Sequence, residues 1–187
     1  MKTVVITGGT GSLGKAVVPR LERDYRCVLL THAMADLNDE ASVRNAFAQI
    51  GEIYALVHLV GGFAPGSVAE TTAETWSGML ALNLTGAFNA ARAALPHLTR
   101  PGRIIAVSSV AAIEQTPGVA AYVVSKSALQ TLIEVIAKEN SGLSANVVAP
   151  STLTDELRQQ VAETIAFLLS DAAGTITGTV IRLRGPA

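Results

Sequence analysis

At 187 residues, 49% apolar and 16% charged, the chain has the length and composition of one globular domain and too little charge for a disordered one. Its formal net charge of −1 gives no electrostatic reason to expect nucleic acid or an anionic membrane as a partner. A single cysteine, Cys27, excludes a disulfide within this sequence, and His32, His58 and His97 lack the spacing of metal ligands. No apolar run approaches the roughly 18 residues of a membrane span. The opening stretch from Met1 to Gly8 is too short for a secretory signal, so the cytoplasm is the expected compartment.

Thr3 to Thr7 is β-branched and uncharged, the pattern of a buried strand, and it breaks at Gly8-Gly9-Thr10-Gly11. Leu13 to Asp24 then carries apolar residues at helical spacing, and Arg26 to Leu30 reads as a second strand. Asp36-Leu37-Asn38-Asp39 is a turn feeding a helix with Val43, Phe47 and Ile50 at i, i+4 and i+7. Ala55 to Val60 is a strand ending in Gly61-Gly62. A long helix is predicted over Ala73 to Leu98, with Trp76, Leu80, Leu84, Ala91 and Leu95 on its apolar side. A strand at Arg103 to Ser108 follows, then a helix at Ala121 to Lys138 and a strand at Ala145 to Ala149. A helix covering Val161 to Leu169, extending over about Glu156 to Ser170, and a strand at Thr179 to Leu183 complete the pattern.

Strands alternating with helices imply right-handed crossovers and a doubly wound α/β fold, a mostly parallel sheet covered on both faces. No linker or repeat divides it, so residues 1–187 are expected to form one dinucleotide-binding Rossmann-type domain. Ligands of such sheets bind beyond the C-terminal strand ends at the topological switch point. Gly8, Gly61, Ser108, Ser109 and Pro150 all follow a predicted strand and fall there.

The run Thr7-Gly8-Gly9-Thr10-Gly11-Ser12-Leu13-Gly14 joins the first strand to the first helix. Glycines there let a pyrophosphate approach, and the helix N-terminus offers free N–H groups with a favourable dipole. A tight strand-to-helix turn favours glycine for its own sake, but the position at the first βα junction points to a dinucleotide. The second strand ends Leu30-Thr31-His32-Ala33, without the carboxylate that grips an NAD ribose and without Arg or Lys. That absence removes repulsion against a 2′-phosphate, which His32 could assist, and tilts the choice slightly toward NADP. Asp36 either contacts the adenine amino group or caps the following helix with Asn38. Asn83 stands inside a long helix beside Thr85 and Gly86; by itself it reads as exposed, although Asn and Gly both weaken a helix interior.

Tyr122 and Lys126 lie four apart on one helical face, with Ser109 thirteen residues upstream. A phenol titrates near about 10, and a neighbouring lysine cation stabilises its phenolate, the usual preparation for acid–base work. Tyr and Lys also share helix surfaces for no functional reason, so the pair gains its meaning from the rest of the chain.

Taken together, the glycine-rich turn, Asp36-Leu37, Asn83, Ser109, Tyr122-x-x-x-Lys126 and Asn146-Val-Val-Ala-Pro150 resemble the short-chain dehydrogenase/reductase family from Thr7-Gly8 to Thr177-Gly178. The resemblance implies a Rossmann sheet of about seven strands, an NAD or NADP cofactor and a small-molecule substrate. It implies Tyr122 as general acid/base and Lys126 as the residue that holds the nicotinamide ribose. Ser109 would position the substrate carbonyl, and Asn83 would orient a proton-relay water. It also places Gly8, Thr10, Gly11, Ser12, Leu13, Gly14, His32, Asp36, Leu37, Gly61, Gly62, Pro150, Thr152, Leu153 and Thr154 at the cofactor. A homo-oligomer, dimer or tetramer, is implied through the two long helices, where Ala87, Ala90, Ala91, Ala93 and Ala94 would permit close packing or else pack internally.

Val60-Gly61-Gly62-Phe63, Thr116-Pro117-Gly118, Lys138-Glu-Asn-Ser-Gly142 and Pro150-Ser-Thr-Leu153 are locally similar to the dihydropteridine reductase branch. That branch implies a quinonoid pterin substrate, yet it generally dispenses with the serine that this chain keeps. His58-Leu59-Val60-Gly61 stands where the family has Asn-Asn-Ala-Gly, which puts that segment's hydrogen bonds in doubt. No room remains before Asp36 for the usual third helix or for much of the third strand. The segment that covers substrate in the family is nearly absent after Thr154. An open pocket suits a flat or bulky substrate, or one covered by a neighbouring subunit. The expected activity is hydride transfer to a carbonyl or pterin-like substrate; the alternative is a non-catalytic dinucleotide sensor on the same scaffold.

Overall fold

The computed structural model describes residues 1–185. Six parallel strands form one sheet in the order β2-β1-β3-β4-β5-β6: Thr3–Thr7, Arg26–Leu30, Ile53–His58, Leu98–Val107, Leu143–Pro150 and Val180–Leu183, numbered along the chain. Helix α1 (Gly14–Leu21) links β1 to β2, and α2 (Glu40–Ile50) carries the chain back across β1 to β3. The order therefore reverses between β1 and β3, which makes their C-terminal ends the switch point.

Among the described residues the sheet has six strands, against the about seven that the family resemblance implies. Nine residues separate β2 from α2, and Asp39 starts that helix by accepting from the backbone N–H groups of Ala41 and Ser42. A crossover helix and a further strand do not fit in that interval, so β2 becomes the sheet edge.

The predicted helix from Ala73 to Leu98 is interrupted. It comprises α3 (Ala73–Leu80), a π-helical turn (Ala81–Thr85), α4 (Gly86–Ala94) and a short 3-10 turn (Leu95–His97), and Leu98 already belongs to β4. Trp76, expected on the apolar side, is 40% exposed, while Asn83, read as exposed, is completely buried. The wide π turn changes the rotation between successive residues, so the apolar stripe of α4 does not continue the spacing of α3. Helix α5 (Val110–Glu114), too short for periodicity to reveal, precedes α6 (Ala120–Glu139). Helix α7 (Asp155–Leu169) then returns the chain to β6.

The core has two layers. Val5, Leu56, Ile104 and Val147 face α2, α4 and α6 with Phe47, Ala90, Leu129 and Ile133. Val4, Ile6, Val57, Ile105 and Val148 face α1 and α7 with Val17, Leu21, Val161 and Ile165. Ala87, Ala90, Ala91 and Ala94 are buried in the first layer, so the alanines of α4 are used internally. Helix α6 is long and apolar enough to cross a membrane by composition, which the sequence had not suggested. It lies on the sheet with Ala121, Val123, Leu129, Ile133 and Ile136 buried, as a core helix does.

Candidate active site

A cleft of about 490 Å³ opens at the C-terminal ends of β1, β3, β4 and β5. Depressions of about 450 and 460 Å³ occur elsewhere on the surface, so size does not single it out. Its place at the switch point does.

The floor is the glycine-rich turn. Gly11 N donates to Gly8 O at 3.0 Å, folding the chain tightly into α1. A Cβ on Gly14 would lie 2.1 Å from Gly9 O, so that position admits no side chain. Leu13 caps α1 without a side-chain hydrogen bond and the first turn carries no acid, leaving a helix N-terminus directed at the cleft.

On the β3 side Gly61, Gly62 and Phe63 line the opening. Asn83 holds this segment: Oδ1 accepts from Gly62 N at 2.9 Å, and Nδ2 donates to Gly62 O at 3.1 Å and to Ser125 Oγ at 3.0 Å. Ser125 Oγ in turn donates to the Tyr122 carbonyl at 2.8 Å. The buried carboxamide thus ties β3's outlet to the first turn of α6.

Lys126 is 5% exposed, and its Nζ donates to Val107 O at 2.9 Å. Burial lowers its pKa from the usual 10.5 to about 8. Ser109 caps α5, its Oγ accepting from Ala111 N at 3.2 Å, which leaves the hydroxyl proton free to donate into the cleft. Ser108 also borders the cleft, but its hydroxyl is engaged: it donates to Lys126 O at 3.1 Å and accepts from Gln130 Nε2 at 2.8 Å. Tyr122 is half-buried and meets Phe63 edge-to-face, with centroids 5.2 Å apart and planes at 67°.

His58 answers the doubt about the segment after the third strand. Its Nδ1 shares a 2.8 Å hydrogen bond with Thr7 Oγ1, joining the ends of β1 and β3, and Nε2 has no partner among the described residues. Burial, and secondarily the Lys126 cation, lowers its pKa from 6.5 to about 3, so the ring is neutral.

The family described as short chain dehydrogenase matches residues 28–166. The chain belongs to the short-chain dehydrogenase/reductase family. Members are NAD(P)-dependent oxidoreductases, and this chain shares their parallel Rossmann-type sheet in one domain. It is 34% identical over 188 aligned positions to an inactive 2-(S)-hydroxypropyl-CoM dehydrogenase of Xanthobacter autotrophicus, spanning 81% of this chain and 82% of that one. It is 30% identical over 226 aligned positions to the 3-oxoacyl-[acyl-carrier-protein] reductase MabA of Mycobacterium tuberculosis, spanning 98% of this chain and 92% of that one. Among solved structures, an oxidoreductase of this family from Burkholderia thailandensis superposes with a TM-score of 0.89 at 28% identity, covering 98% and 91% of the two chains.

Of the residues expected from this short-chain dehydrogenase/reductase's sequence, Gly8, Thr10, Gly11, Ser12, Leu13, Gly61, Gly62, Ser109, Tyr122, Lys126, Pro150 and Leu153 line the cleft. Gly14 and Asn83 stand behind the lining. His32 and Asp36 are exposed beyond it; Asp36 accepts from Asn38 N at 2.9 Å and leaves the cap of α2 to Asp39. Leu37 packs on α4, where its carbonyl accepts from Asn89 Nδ2 at 2.8 Å. Thr152 is exposed, and Thr154 caps α7 by accepting from Leu157 N at 3.2 Å. Phe63 and Ser151, noted in the sequence only within local motifs, and Val107 also line the cleft; for Phe63 the signal was its place directly after the third strand's glycines.

Proposed function

We propose that this chain reduces a carbonyl or quinonoid, pterin-like substrate, with Tyr122 as proton donor. The observation that carries the reading is the convergence of Ser109, at the start of α5, with Tyr122 and Lys126 of α6 on one cleft beside the glycine-rich turn. The residues fit a dinucleotide: the crowded Gly14, the open N-terminus of α1 and the bare wall at Gly61 leave room for one. Gly8, Thr10, Gly11, Ser12 and Leu13 would hold its phosphates, with Pro150 and Leu153 along the opposite side. A bound nicotinamide would supply the hydride. Of the two cofactors, the reading favours NADP slightly, because β2 ends without a carboxylate and His32 stands exposed nearby.

Each side chain then has a task. The free O–H of Ser109 donates to the substrate oxygen and stabilises the negative charge that develops there. Tyr122 hands its phenolic proton to that oxygen. The Lys126 ammonium favours the phenolate that remains and is available to a ribose hydroxyl. Asn83, with its carboxamide committed to Gly62 and Ser125, positions the walls. Exposed Phe88 and Val124, on α4 and α6, support a homo-oligomer across those helices.

The direct entry from Thr154 into α7 leaves the cleft uncovered, which favours a second reading, a dinucleotide sensor without turnover. Tyr122→Phe separates the two. The reductase reading expects cofactor affinity to persist while carbonyl and quinone reduction is lost; a wild-type protein that binds cofactor and reduces no member of such a panel supports the sensor.

A further inference from the structure

Phe63 is 63% exposed, yet the chain on either side of it is hydrogen-bonded to the body of the fold. On one side Asn83 grips both polar groups of Gly62. On the other, Gly66 N donates to Gly118 O at 2.8 Å and Ala120 N donates to Gly66 O at 2.9 Å, a parallel bridge to the start of α6. Phe63 lies between these two ties, and its ring rests against Tyr122. A single exposed apolar side chain is ordinary on a protein surface; what distinguishes Phe63 is its place in the cleft lining against Tyr122. A water-exposed ring that touches the proposed proton donor, on a segment tied at Gly62 and Gly66, offers an apolar binding surface.

We propose that Phe63 is the specificity-determining residue of this cleft and that it selects planar, conjugated carbonyl compounds. This rests on the reductase reading above and narrows its substrate class. A flat ring system laid along Phe63 covers apolar surface on both partners and brings its carbonyl oxygen to Tyr122 and Ser109. A small aliphatic carbonyl gains little from that wall, and because α7 starts immediately after Thr154 no covering segment stands there among the described residues. A planar substrate brings its own cover.

The test compares two α-diketones, phenanthrenequinone and diacetyl, assayed anaerobically with NADPH or NADH on wild type, Phe63→Ala and Phe63→Trp. Phe63→Ala is expected to lower the ratio of kcat/KM for phenanthrenequinone to that for diacetyl by about tenfold or more, chiefly through KM. Phe63→Trp restores most of the ratio. A ratio that stays the same in Phe63→Ala overturns the proposal. If wild type reduces neither diketone, the reductase reading falls, and Phe63 is judged by equilibrium dialysis of phenanthrenequinone. Binding that is lost in Phe63→Ala sustains the selection of planar ligands, and binding that is unchanged refutes it.

Discussion

Asn83 and Gly62 form a two-point clasp: one carboxamide both accepts from and donates to the backbone of a single residue, at 2.9 and 3.1 Å. Asn83 itself is completely buried, and the clasp sets where the cleft wall leaves β3. Asn83→Ala would remove the partner of the N–H and carbonyl of Gly62 and one bond accepted by Ser125, whose hydroxyl still donates to the Tyr122 carbonyl. It is expected to cost about 2–3 kcal/mol in denaturant unfolding and to lower turnover. A loss of well under about 1 kcal/mol would show that the clasp carries no weight.

Gly14 and Gly61 are both too crowded for a side chain, but for different reasons. An added methyl at Gly14 meets backbone, Gly9 O at 2.1 Å. At Gly61 it meets Lys126 Nζ at 2.6 Å and Asn83 Oδ1 at 2.9 Å, the ends of side chains. Gly14→Ala should therefore destabilise the fold by about 3 kcal/mol, with cofactor binding lost alongside. Gly61→Ala should cost about 1 kcal/mol yet reduce kcat at least about tenfold by displacing the ammonium. Thermal unfolding and steady-state kinetics on both variants check the contrast; equal losses of stability would contradict it.

Lys126 makes stability depend on pH in the alkaline range. Its pKa falls from 10.5 to about 8 on burial, so between those values the unfolded chain holds a proton that the folded chain has released. Stability from this group therefore rises as pH increases from about 8 to 10.5, by about 3 kcal/mol in all. Lys126→Met should lack that rise, which unfolding midpoints of the two proteins across pH 7 to 10 would reveal as a narrowing gap. In the working range the same titration should weaken cofactor binding as pH passes about 8.

His58 acts at the acid end. Its folded pKa of about 3 lies below the unfolded 6.5, so its contribution is present above 6.5 and is lost as pH falls toward 3. His58→Asn removes the titration and keeps a side chain able to reach Thr7. Its unfolding free energy should fall less steeply than that of wild type between pH 6.5 and 4; parallel curves would mean that the ring is solvated.

The alternation of strands and helices, the glycine-rich turn and the Tyr122–Lys126 pair were legible because each is local, carried by periodicity or by spacing within one element. The six-strand sheet followed from a distance too short for more chain between β2 and Asp36. What the sequence concealed depends on contacts between distant elements or on irregular helix. Asn83 taken alone read as exposed, and only the family resemblance drew it to the site; the π turn buries it against Gly62. His58 looked like a gap in the family pattern until its partner, Thr7 on the neighbouring strand, was in place. Thr154, expected at the cofactor, caps α7 because the helix begins one residue later. The expected packing use of the α4 alanines was divided between a partner and the chain's own core, and the core buries four of them with Ala93 partly buried against it.

The most direct test of the account is calorimetric titration of the purified protein with NADPH and with NADH. The geometry of the glycine-rich turn, Gly61 and Lys126 predicts saturable binding of at least one of them, tighter for NADPH, and retained in Tyr122→Phe. Binding of neither would contradict the account at its centre, because a chain of this family that holds no nicotinamide cofactor has no source of hydride for Tyr122 to complement.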